Sequence, residues 1–523
     1  MKAAGILAIV LVAAHSAAGG PAAPTPSVAP PGGRNVPASE SPIDQLVFGK
    51  LNQLDIQPAD PCSDAVFVRR VHLDVIGTLP TPQEVKDFLK DNDPGKRRAL
   101  IDRLLEREEF ADYWAMKWSD ILRVKAEFPI NLWPNAAQAY HRWIRTSIRE
   151  NKPYDRFVRE MLTASGSNFR VPEVNFYRAV QNREPQGLAQ AVALTFMGTR
   201  ADLWPKERRA GLAAFFSQVG YKATAEWKEE IVFFDPGKAA PQAAAFPDGT
   251  SVRLSPDQDP REVFTHWLVD PKNPSFTRPI ANRVWSWLMG RGIIQEPDDI
   301  RPDNPPANPE LLAYLEKELV VGHYDLKHLY RLILNSRTYQ LSSIPATRGP
   351  EAEANFAYYP LRQLEAEVLI DALCQITGTT EPYTSAIPEP LTYLPDGQRA
   401  IALPDGSITS SFLEMFGRPP RDTGLESERH NKMTADQRLH LLNSSHIQRK
   451  LQQARPLLAL LRSGAGPREV VAGTYLLILS RYPTEAEWTT VAAYPRTGPA
   501  ARRTALMDLA WALINSDEFL FRH

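Results

Sequence analysis

The densest grouping of side chains able to do chemistry runs Arg418-Pro-Pro-Arg-Asp-Thr-Gly-Leu-Glu-Ser-Glu-Arg-His-Asn-Lys432. It holds three carboxylates (Asp422, Glu426, Glu428), three arginines (Arg418, Arg421, Arg429) and His430. Paired carboxylates can serve as general acid and base on a glycosidic bond, so Asp422, Glu426, Glu428 and His430 form the candidate catalytic set. The arginines can grip a carboxylate or sulfate with two parallel hydrogen bonds, which makes them candidate ligand-binding residues. The plainer reading is an ion-paired loop between domains. Loops held by rigid elements carry function disproportionately, so this one is the first place to look for a site.

Other groupings are weaker. Glu296, Asp298, Asp299, Asp303 and Asn304 are rich in oxygen ligands and could wrap Ca²⁺. EF-hand spacing is absent, and helix capping with pairing to Arg291 or Arg301 is the simpler account. His440 and His446 lie six apart, and His323 and His328 five apart, off the i, i+4 register that places two imidazoles on one helix face. No HExxH motif, Gly-rich phosphate loop, GxSxG elbow or dinucleotide fingerprint occurs. Two cysteines exclude a four-cysteine zinc site and a cysteine-held iron–sulfur cluster. Cys62 and Cys374 could pair in an oxidising compartment. Cys374 lies among Leu369, Leu373 and Ile376 and reads instead as a small buried hydrophobe, so no disulfide is expected. No metal and no cofactor is expected.

These residues need elements to hold them. The 523 residues are 43% hydrophobic, enough for sizeable cores and about two to four domains. With 60 basic and 61 acidic residues, the chain lacks the basic excess of a nucleic-acid binder. Proline takes 46 positions, close to double the usual ~5%, which predicts short helices joined by stiff loops. Residues 1–18 read as a signal peptide, with Lys2 before the apolar run Ala3–Ala14 and small residues at Ser16, Ala17 and Ala18. The expected location is therefore periplasmic or extracellular. That run is too short to span a bilayer, and no later run is long enough, so no transmembrane segment is expected. Residues 19–40 are Pro, Ala, Gly and Ser with few large apolar groups, and predict a disordered linker.

From residue 41 to about 220 the periodicity is helical. Thr81-Pro82-Gln83-Glu84 is a helix start with a capping box, and Phe110, Trp114 and Trp118 lie on one face. Such an aromatic stripe could line a cofactor or a sugar, but core packing is the ordinary cause. Residues 221–260 contain the β-prone run Ile231-Val-Phe-Phe234 and predict a small β insertion and linker. Residues 261–523 return to helical periodicity, broken by Pro-rich loops at 301–309 and 377–410, and Phe519 to Phe521 should dock the C-terminus. The expected fold is mainly α, two helical domains (41–220 and 261–523) with a small β insertion. No strict internal repeat is visible.

Two stretches carry a resemblance. One is Phe67-Val-Arg-Arg-Val-His-Leu-Asp-Val-Ile-Gly-Thr-Leu-Pro-Thr-Pro-Gln-Glu84, continuing at Phe110–Asp120. The other is Ala281-Asn-Arg-Val-Trp-Ser-Trp-Leu-Met-Gly-Arg-Gly-Ile-Ile294, continuing through Asp298–Pro306, Tyr324–Leu329 and Ser336–Ser342. Together they resemble the planctomycete cytochrome-associated secreted family, which pairs two domains of unknown function, fifteen-forty-nine and fifteen-fifty-three. The resemblance covers about residues 41–523. Arg283, Arg337 and Tyr339 belong to its most recognisable segments and are further ligand-binding candidates. Many members carry Cys-x-x-Cys-His before a helix ending Gly-Leu-Ala-Ala-Phe-Phe. Here that helix is Gly211–Phe216 and Trp204 matches the motif's Trp, but Phe196–Trp204 contains neither cysteine nor histidine. The resemblance therefore implies a member without haem, and redox chemistry is the least expected function. The leading expectation is a binding or scaffold protein of the bacterial cell envelope, with an extracellular polysaccharide or an envelope protein as partner. The alternative is a glycan hydrolase using the 418–432 carboxylates.

Overall fold

Local chemistry starts many of the helices. Thr81 accepts from the backbone N–H of Glu84 while the Glu84 carboxylate accepts from the Thr81 N–H, opening helix Pro82–Lys90. Thr434 and Gln437 repeat the arrangement at helix Ala435–Asn443. The helix Asp64–Ile76 ends at Gly77 in the left-handed region (φ 57°), where a Cβ would lie 2.5 Å from the Tyr113 ring. The computed structural model describes residues 41–241, 243–494 and 498–523. The expected signal peptide and linker lie outside the described residues.

The fold is mainly α. Among the described residues, strands occur only in one three-stranded and two two-stranded sheets. The three-stranded sheet has order β1 (Gly166–Ser167), β3 (Glu230–Phe234), β2 (Val219–Ala223), all antiparallel, with Tyr221 opposite Val232 and Gly166 opposite Val232 on the other side. The β region is thus not self-contained. It recruits a strand from the preceding helical segment, and its first hairpin strand begins before the expected boundary at 221.

The two helical segments share one hydrophobic core, which runs without interruption from Ile43 to Leu520. Phe110, Trp114 and Trp118 are buried in it, and Trp287 from the second segment lies 5.2 Å from Trp114 and 5.7 Å from Trp118. A narrow gap of about 30 Å³ lies beside this cluster, lined by Phe110, Trp114, Trp118 and Tyr330. Phe519 and Leu520 are buried, and Phe521–Arg522 pairs with Arg362–Gln363. That short pairing carries the Arg522 side chain into the interior. No helix of the described residues is long and apolar enough to cross a membrane.

Candidate functional site

Charged side chains inside the helix Asp64–Ile76 seed a buried polar system. Asp74 accepts from the phenols of Tyr339 (2.9 Å) and Tyr359 (2.7 Å) and pairs with Arg362 and Arg522, each at 3.1 Å. Arg522 continues to Glu365, which also meets Lys117 and the Tyr113 hydroxyl. Burial alone would raise the Glu365 carboxyl, but Arg522 and Lys117 hold it well below the usual carboxylate range. Tyr339 is therefore an internal strut.

The 418–432 loop is anchored in a second buried set. Arg421 donates to Asp120 at 2.9 Å, and Arg429 reaches Asp120 at 2.6 Å and Glu367 at 2.7 Å. Arg418 lies 3.3 Å from Glu367 and donates to the backbone carbonyls of Ile408 and Asp405. Although burial pushes it upward, Arg429 and Arg418 hold Glu367 down at about 2. All three arginines point inward and are partnered within the chain. Asp422 pairs with Lys125 at 2.7 Å, and Glu428 accepts from the backbone N–H groups of Asp422 and Thr423, folding the loop on itself. His430 is exposed.

Glu426 differs. Its backbone N–H donates to Asp298 at 2.7 Å, and its carboxylate accepts from the Trp287 indole at 2.9 Å and lies 3.3 Å from Arg283. Arg283 also pairs with Asp298 at 2.9 Å and donates to the Thr195 carbonyl. The structure thus brings the two polar loops of the sequence together at one point, Arg283–Asp298–Glu426. The Glu426 side chain keeps 27% exposure. Burial and the Asp298 charge outweigh Arg283, so its carboxyl is pushed up to about 7. The remaining oxygen-rich residues turn elsewhere. Asp299 and Asp303 pair with Arg301, Asn304 donates to the carbonyls of Gln295 and Asp299, and Glu296 is exposed. They do not converge, and no group of three or more His, Cys, Asp or Glu among the described residues could hold a metal ion. Arg337 is exposed, its guanidinium 5.5 Å from the centre of the Phe48 ring.

A cleft of about 300 Å³ lies apart from these loops. Asp371, Cys374 and Gln375 enter it from one face of helix Ala366–Thr377, being three and four residues apart. Glu381, Tyr383 and Arg399 come from the loops that follow, and Thr78 comes from the N-terminal segment. Asp371 accepts from the backbone N–H of Ala400 at 2.7 Å, and burial pushes its carboxyl up to about 6. Glu381 is held by His446 at 2.8 Å and Lys450 at 3.0 Å. His440 lies 3.2 Å from the far nitrogen of His446. The off-register spacing of these histidines is overcome by the break at Ser444 between helices Ala435–Asn443 and Ser445–Gln452. The other pair stays apart: His328 contacts Glu318 at 3.2 Å. Both cysteines are free; Cys374 has Lys450 at 3.4 Å, and burial raises its thiol. The cleft escaped sequence reading because its polar residues sit singly inside an apolar helix. The one available signal was the i, i+3, i+4 polar face of Asp371, Cys374 and Gln375.

Two family profiles match the chain. Residues 42–202 match a protein of unknown function (DUF1549) and residues 260–494 match a protein of unknown function (DUF1553). The chain belongs to the family that pairs these two domains. No curated protein and no solved structure matches it. The Arg283–Asp298–Glu426 contact lies within the DUF1553 segment, whereas Asp120 is supplied to Arg421 and Arg429 by the DUF1549 segment. Near the end of the DUF1549 segment, the turn Gly198–Pro205 offers no thiol or imidazole, and Trp204 lies under the Arg208 guanidinium at 3.8 Å.

Proposed function

We propose that this protein is a non-haem binding protein of the bacterial cell envelope that takes a hydroxyl-rich saccharide unit in the cleft of Asp371, Gln375, Glu381 and Tyr383. The observation that carries this reading is the cleft itself. At about 300 Å³ it matches the lower range of small-ligand pockets, and it combines carboxylates, amides and a guanidinium with one aromatic ring. Sugars need that mixture, because each hydroxyl both donates and accepts while the ring C–H face prefers an aromatic surface. The 418–432 arginines favour a scaffold role over ligand binding, since their charges are already neutralised inside. Location outside the cytoplasm rests on Lys2 and Ala3–Ala14. Calorimetric titration with neutral hexasaccharides of glucose, xylose and mannose tests the reading. Wild type should bind at least one, and Gln375→Ala with Tyr383→Ala should bind it at least ~10-fold more weakly, a change of about 1.4 kcal/mol. Binding of none, or equal binding by the variant, overturns it.

Glu426 favours a second reading, glycan hydrolysis. A carboxyl that titrates near neutrality and keeps partial exposure is suited to general-acid work. Release of reducing ends from a panel of soluble glycans is the measurement. Turnover lost in Glu426→Gln supports this reading, and the absence of turnover by wild type removes it.

A further inference from the structure

An exposed tryptophan on a rigid turn needs a reason, because large apolar rings gain free energy by leaving water. Trp227 is 71% exposed at the tip of the β2–β3 hairpin. That tip is tightly held. The Thr224 hydroxyl and the Ser167 hydroxyl both donate to Glu229, the Asn168 amide donates to the Lys228 carbonyl, and Glu229 N–H donates to the Glu226 carbonyl. The ring is presented by a fixed backbone rather than by a wandering loop.

A second aromatic is brought against it from a distant segment. Trp133 stands edge-on to Trp227, with ring centres 6.4 Å apart and planes at 85°. The Lys228 ammonium sits 5.3 Å from the centre of each ring. Trp133 reaches this place with φ 73° and ψ 148°, a conformation almost confined to glycine. Hydrogen bonds from Trp133 N–H to Ala126 and from Leu132 N–H to Lys125 hold the loop in that shape, and Arg178 clamps the Leu132 carbonyl. Backbone strain of this kind is kept where the surrounding structure enforces it and is concentrated at ligand clamps.

We propose that Trp133, Trp227 and Lys228 form a stacking platform for an uncharged polysaccharide chain, a second binding place separate from the cleft. This rests on the saccharide-binding reading and extends it from one sugar unit to the polymer. The charges beside the rings choose the occupant. Lys228 lies between the rings, and Glu226 and Arg170 form an exposed pair at 3.7 Å beside them. Entering hydrocarbon or a dry protein interface would strip water from these charges, which is costly. A sugar chain leaves them wet. Its C–H faces cover an indole while its hydroxyls bond the lysine and the carboxylate, and the mixed signs select neither an anionic nor a cationic polymer. The right angle between the rings supplies a floor and a wall, so one pyranose can stack while the next is guided.

Native affinity gels containing galactomannan, xyloglucan or hydroxyethyl cellulose test the platform, with vesicles of phosphatidylcholine and phosphatidylglycerol as a parallel arm. Wild type should be retarded by at least one polymer, Trp227→Ala should lose at least ~10-fold in apparent affinity, and Trp227→Phe should recover part of it. The thermal midpoint of Trp227→Ala should stay at the wild-type value, since the ring is exposed. Equal retardation of Trp227→Ala and wild type overturns the platform. So does Trp227-dependent binding to vesicles without retardation by polymer. Hexasaccharide titration separates the two readings: if the cleft binds and no polymer retards the protein, the platform alone falls, and if neither binds, both fall.

Discussion

At the scale of single residues, the interior is organised by charges that would be ruinous alone. Asp120 faces Arg421 and Arg429, and Glu367 faces Arg418 and Arg429, so each of these five buried charges has at least one partner of opposite sign. Such pairs add little net stability but make loss of one member costly, which specifies a unique arrangement more than it strengthens it. Glu426 stands at the edge of this system and behaves oppositely to Glu367. Its carboxyl titrates at about 7 in the folded protein against an ordinary value of 4.5. The folded state therefore holds a proton that the unfolded state releases, so this group's contribution is fully present below about pH 4.5 and is lost as pH rises towards 7. The same Glu426→Gln variant used for turnover should flatten the decline of the thermal midpoint between pH 5 and pH 7. An unchanged slope would show that Glu426 has an ordinary affinity for protons.

At the scale of elements, backbone contacts dock the loops onto helices. Gly424 has φ 76°, and a Cβ there would lie 2.6 Å from the Ile121 carbonyl and 2.9 Å from the Arg123 guanidinium. Arg123 in turn donates to the Thr423 carbonyl at 3.0 Å, so this glycine is where the 418–432 loop meets the end of helix Glu108–Ile121. Gly464 has nearly the same φ, 75°, but nothing within 4 Å. Gly464→Ala should therefore cost only the left-handed strain, about 1 kcal/mol. Gly424→Ala adds a clash and a displaced loop and should cost about 2–4 kcal/mol. Urea unfolding of both variants measures the difference, and equal costs would mean that the close approach is absent. Helix starts were legible locally, as Thr81–Glu84 and Thr434–Gln437 show, because a cap needs only residues three apart. The pairing of Gly166–Ser167 with β3 was not, because two residues carry no alternation pattern and their partner is distant in the chain.

At the scale of the whole molecule, two family segments build one body. Asp74 in the first segment is met by Tyr339, Tyr359 and Arg362 from the second and by Arg522, which lies beyond it. Differential scanning calorimetry should give a single unfolding transition for residues 41–523. The isolated 41–220 fragment should show no cooperative transition, since it would expose the faces of Trp114 and Trp118 that Trp287 covers and remove the four side chains that satisfy Asp74. Two separate transitions in the full chain would mean that the segments fold independently.

The sequence by itself determined the helical class, the capped helix starts, the family pairing and the loop that would be rich in charge. Those follow from periodicity, composition and short-range spacing, which are properties of neighbours along the chain. Only the tertiary structure decided what the charges do. It turned Arg418, Arg421 and Arg429 inward, left Glu426 partly open between Arg283 and Trp287, set His440 beside His446, and gathered Asp371, Glu381 and Tyr383 around a cleft. The physical reason is that a charge acquires its partner, its desolvation and its proton affinity from atoms hundreds of residues away, and no local pattern records which atoms those will be.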